Sequence, residues 1–60
     1  MKTIININNL PTNANRFTYI VCREVDGFLW YFGAWYSDQK AQAFEQAQAI
    51  GGIVVKNEED

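Results

Sequence analysis

From Phe17 to Tyr36, apolar residues occupy odd and even positions alike. A strand sends alternate side chains to opposite faces, so such a segment carries greasy groups on both sides of its sheet. The run Phe28-Leu29-Trp30-Tyr31-Phe32-Gly33-Ala34-Trp35-Tyr36 holds six of the nine aromatic residues, both tryptophans included. Between it and Phe17–Val25 stands Asp26-Gly27, which suits a two-residue type I′ turn because both central positions need positive φ. That turn pairs Val25 with Phe28, Arg23 with Trp30, Val21 with Phe32, Tyr19 with Ala34 and Phe17 with Tyr36. One face then carries Phe17, Tyr19, Val21, Arg23, Val25, Phe28, Trp30, Phe32, Ala34 and Tyr36. The other carries Thr18, Ile20, Cys22, Glu24, Leu29, Tyr31, Gly33 and Trp35. A slip of one residue would exchange the two sets.

The period changes after Tyr36. Ser37 or Asp38 is placed to cap a helix reaching about Ile50, built almost wholly from good helix formers. At about 100° per residue Ala43, Phe44, Ala47 and Ile50 form one narrow stripe, with Gln42, Glu45, Gln46 and Ala49 opposite. Gly51-Gly52 ends the helix, the first glycine as a left-handed cap, and Ile53–Lys56 reads as a short final strand. Parallel to Phe28–Tyr36, it is placed for preference antiparallel to Phe17–Val25, which leaves a central strand. Upstream, Thr3–Asn8 reads as a short edge strand and Asn9–Asn15 as a loop, with five of the six asparagines in the first fifteen residues.

These elements predict one domain over residues 1–60. Its class is α+β: a small antiparallel sheet of three or four strands, in chain order β-β-β-α-β, with one helix on one face. Residues 1–16 form its edge strand and loop, and residues 57–60 a frayed acidic end. A lone helix with a narrow, alanine-rich stripe covers one aromatic face. The second face is therefore expected to meet something outside the monomer. A 60-residue chain is near the lower size limit for folding alone, so self-association would add stability by mass action.

Charge and chemistry narrow the functional classes. Of the seven acidic residues three stand at positions 58–60, so five basic residues face four acidic ones up to Asn57. Neither a basic stripe for phosphates nor a strongly acidic surface results. One cysteine and no histidine leave no internal disulfide and no conventional metal site; Cys22 reads as a small buried hydrophobe in a reducing, cytoplasmic setting. Glu24, Asp26, Asp38 and Glu45 form no converging acid–base pair, Cys22 and Ser37 have no imidazole partner, and no phosphate-cradling glycine loop occurs. The expectation is a non-enzyme with no catalytic, cofactor-binding or metal residues. No apolar run is long enough for a membrane helix, and Thr3–Asn9 lacks the continuous apolar core of a signal peptide, so the expectation is a soluble chain that is not exported.

The aromatic residues remain as the functional surface. Phe17, Tyr19, Arg23, Phe28, Trp30, Tyr31, Phe32, Trp35 and Tyr36 are the interface candidates, since Trp, Tyr and Arg dominate contact hot spots. A two-fold homodimer is the simplest assembly, with a further protein partner not identified by the residues. The alternative is stacking of single-stranded nucleic acid on Trp30, Tyr19 and Phe32. It is disfavoured by having only Arg16 and Arg23 as arginines, with Glu24 and Asp26 nearby.

The string Trp30–Asp38, followed by Ala43, Ala47 and Gly51–Val55, resembles a ββαβ pattern of short phage and prophage proteins of unknown function. The resemblance spans residues 17–56. It implies a small accessory protein of a mobile element, or an inhibitor of a host or defence system, and transfers no functional residue.

Overall fold

Asp26 and Gly27 both take positive φ, 54° and 85°, and Val25 pairs with Phe28 across them; the turn is the one its residues favour. Around this hairpin a computed structural model describes residues 7–57. The elements are β1 (Ile7–Asn8), β2 (Tyr19–Val25), β3 (Phe28–Trp35), α1 (Lys40–Ile50) and β4 (Ile53–Lys56), with single 3₁₀ turns at Ala14–Arg16 and Ser37–Gln39. The expected residues Thr3–Asn6 of the first strand and the acidic end Glu58–Asp60 lie outside the described residues.

The sheet order is β1-β3-β2-β4. The fold is α+β in the predicted chain order, and β4 lies antiparallel beside β2 as preferred. One correction applies to the sheet: it is mixed, because β1 pairs parallel to β3, Ile7 with Leu29 and Asn8 with Trp30. This pairing has a large consequence. β1 and β2 flank β3 on opposite sides, so the chain from Asn9 to Thr18 must cross β3 to connect them.

That crossing covers the face away from the helix. Ile7 and Ala14 are buried with Ile20 and Cys22, and Leu10, Phe17, Leu29, Tyr31, Ala34 and Val55 pack around them. The second face therefore does not wait for an outside partner: the asparagine-rich segment, which reads as a plain loop, roofs it. Asn57 pins this roof, its side-chain amide donating to the Phe17 carbonyl at 3.0 Å and the Ala14 carbonyl at 3.5 Å. Its backbone N–H donates to Thr18 at 2.7 Å. Asn57 thus continues the fold beyond β4 where a frayed end was expected.

The hairpin register also departs from the simple one. From the turn to Cys22↔Tyr31 the pairs are as predicted; beyond it they shift to Val21↔Gly33, Ile20↔Ala34 and Tyr19↔Trp35. Phe32 is the extra residue, a β-bulge. The shift brings Gly33 and Trp35 to the face of Tyr19 and Val21 and sends Ala34 to the other.

Helix α1 packs on that first face. Ala43 and Ala47 bury against Val21, flanked by Tyr19, Trp35, Ile50 and Val54. Phe44, expected in the stripe, lies on the helix flank and is half exposed. Its place is taken by Gln46, assigned to the solvent side by the sequence pattern. Ser37 and Asp38 do not cap the helix start. Tyr36 and Gln39 close it reciprocally, the Tyr36 N–H donating to the Gln39 side-chain oxygen at 3.0 Å and the Gln39 N–H to the Tyr36 carbonyl at 2.9 Å. At the other end Gly51, at φ 68°, forms a left-handed cap, and Gly52 donates to Ala47 at 2.8 Å. This is the Schellman arrangement. A Cβ on Gly52 would run into the Cys22 carbonyl, so the helix stops against β2 at the level of Cys22.

Candidate interaction surface

The stop at Gly51-Gly52 divides the hairpin. Behind it Val21 is fully buried; ahead of it nothing in the described chain lies over the rows Val25–Phe28 and Arg23–Trp30. Phe28 is 60% exposed, Phe32 44%, Trp30 43% and Val25 43%. These four line a shallow hollow of about 510 Å³ that Arg23, Asp26, Asn9 and Tyr31 complete. Apart from Asn9, which follows β1, its residues come from one hairpin end, which the type I′ turn holds in register.

The bulge borders this surface. Phe32 has no cross-strand partner, and its carbonyl accepts from the Gln46 amide at 3.3 Å. The Gln46 oxygen in turn accepts the Trp35 indole N–H at 2.8 Å. Gly33 leaves the room beneath: a Cβ there would meet the Gln46 carboxamide and push that side chain off its two hydrogen bonds. One glutamine thus satisfies the bulge and the indole together, since a half-buried polar group left without a partner is costly. Phe32 stays on the side of Trp30, where strand alternation alone places it; what the bulge moves is Gly33 and Trp35, which come under the helix.

Of the nine interface candidates, Arg23, Phe28, Trp30, Tyr31 and Phe32 converge on the hollow. Tyr31 also packs with the cluster on the roofed face. Tyr19 and Trp35 lie under the helix. Phe17 and Tyr36 stack on each other at the far end of the hairpin, centroids 4.7 Å apart and planes at 28°. Val25 and Asp26 belong to the surface, although the sequence singled them out only for pairing and turn. Their position beside the turn, beyond the helix stop, was the available signal. Gln46 and Asn57 carry no such signal, because their roles depend on partners 11 or more residues away.

Cys22 is fully buried, and desolvation pushes its thiol above the ordinary value. A protonated, enclosed thiol is a packing group, not a nucleophile. A second apolar groove runs between Phe44 and Ile53, bordered by Ala47, Gln48, Gly52 and Val54; the Lys40 ammonium stands 5.9 Å from the Phe44 ring centre. Among the described residues no helix is long and apolar enough to cross a membrane, and no group of three His, Cys, Asp or Glu side chains could hold a metal ion. Comparison with family models, curated proteins and solved structures gives no match to this chain.

Proposed function

We propose that this chain is a non-enzymatic protein-binding module that works as a homodimer through the ring patch at the turn end of its hairpin. The observation that carries this reading is the contiguous exposure of Val25, Phe28, Trp30 and Phe32 in a chain that buries the other side of the same sheet. Aromatic side chains present roughly 150–250 Å² each. Three of them half exposed, with half of a valine, make a patch on the order of 400 Å², within the range of the largest, often functional, apolar patch on a monomer. That is about half of the ~800 Å² each partner contributes to a standard interface; the turn and polar rim supply the remainder. With one arginine beside the rings and an aspartate on the same rim, the hollow lacks the positive groove that single-stranded nucleic acid needs. The accessory or inhibitory role in a mobile element rests on the resemblance of Trp30–Val55 alone.

Sedimentation equilibrium over a concentration series tests the reading. The native chain is expected to dimerise, and Phe28→Ser to remain monomeric with an unchanged far-UV circular dichroism spectrum, because Phe28 is the most exposed of the rings. A native chain that stays monomeric at millimolar concentration, or tryptophan quenching by oligothymidine that weakens with salt, overturns it.

A further inference from the structure

The ring patch carries one cation and one anion on its rim, Arg23 on β2 and Asp26 in the turn, and both border the same hollow. Glu24 belongs to the opposite face by strand alternation, so it does not disturb this pair. Helix α1 occupies the layer above the sheet only as far as Cys22. A helix is about 10–12 Å across, and packed sheets lie about 10 Å apart, so the helix and an incoming sheet would fill the same layer.

From this we infer, building on the homodimer reading, how the second copy docks. The partner hairpin lies face to face on the ring patch, its strands antiparallel to the first, with Arg23 of each copy against Asp26 of the other. The parallel alternative places both helices at the same end, between the sheets, and forces the patches apart. In the antiparallel arrangement the helices stand at opposite ends, and each hairpin tip fills the space where the other copy's helix stops. Two-fold symmetry makes the contact isologous, so the rim need only complement itself. A rotation axis lying across the strands, midway between positions 23 and 26, places β2 over its partner's β2. It brings the cation of each copy onto the anion of the other, twice per dimer. The same operation sets Phe28 and Trp30 against the partner's rings. The hollow is thus one half of a site completed by a second copy.

A charge-exchange experiment, read by sedimentation equilibrium on the full chain, tests the orientation. Arg23→Asp and Asp26→Lys are each expected to weaken self-association by about tenfold or more, because like charges then meet across the two-fold. Their equimolar mixture is expected to recover a heterodimer within a few-fold of native affinity, since both cross-dimer pairs become attractive again. Asp26→Asn keeps the type I′ turn and removes only the charge. It separates turn strain from charge: it should also weaken the dimer, with a smaller salt dependence than the native chain. If the native chain dimerises but the mixture is no tighter than either variant alone, this orientation is wrong and the homodimer reading survives. If the native chain does not dimerise, both fall.

Discussion

Val21 and Val25 are the same residue on the same strand and the same face, four positions apart. One is fully buried and the other 43% exposed. Neither hydrophobicity nor strand propensity separates them. What separates them is α1, whose 11 residues span about 16 Å and end at Gly51, level with Cys22. The other side of the sheet shows the opposite outcome. There a segment with little regular structure, Asn9–Thr18, roofs Ile20 and Cys22 because β1 lies beyond β3 and the chain has to cross back. Coverage in this molecule follows from where elements stop and which edge they join, not from how apolar each strand is.

The largest effect that would break this contrast comes from moving the boundary itself. Gly52→Val drives side-chain atoms into the Cys22 carbonyl, and overpacking against backbone is expected to cost roughly 3 kcal/mol. In a domain this small that loss should abolish a cooperative urea transition.

The two valines provide the next test. Val21→Ala opens a cavity beneath Ala43 and Ala47 and should destabilise by about 2 kcal/mol, whereas Val25→Ala should change monomer stability by less than about 0.5 kcal/mol. Urea midpoints measured below the concentration of self-association compare them directly. Equal losses at both positions would remove the distinction between covered and bare ends.

A smaller effect sharpens the boundary between the regions. Gln46→Ala leaves the Trp35 indole and the Phe32 carbonyl without partners and should cost about 1–2 kcal/mol. It should also loosen Phe32, visible as a broadened aromatic resonance, while the Tyr19 environment holds.

The smallest effect concerns the roofed face. Because burial raises the Cys22 thiol in the folded chain above its unfolded value, the folded state keeps a proton that the unfolded state releases. Stability should be insensitive to this group below about pH 9 and should fall as pH rises above it. A Cys22→Ala variant, followed by urea denaturation across the same range, should lack that share of the decline.

Much of the architecture was legible because it is governed by local chemistry. Asp26-Gly27 specifies its turn, Gly51-Gly52 ends the helix, and a strand–helix–strand run returns beside β2. The features that escaped are non-local. The bulge at Phe32 depends on Gln46 reaching back across 14 residues, and propensity puts that glutamine on the solvent side. The roof depends on Ile7 joining the outer edge of β3, which no property of an asparagine-rich loop announces. For the exposed rings, the aromatic run pointed to the hairpin that carries them. It could not tell Trp30 from Trp35, because the bulge and the helix stop decide which of them is covered.

Those two tryptophans permit the most direct measurement. In a concentration series of ¹⁵N-resolved spectra of the native chain, the Trp30 indole signal should shift progressively as the patch is covered. The Trp35 signal, held by Gln46 beneath the helix, should stay fixed. Shifts confined to Trp35 or to β4, or no shift at either indole up to millimolar concentration, would contradict the claim that the bare end of the hairpin is where this protein meets its partner.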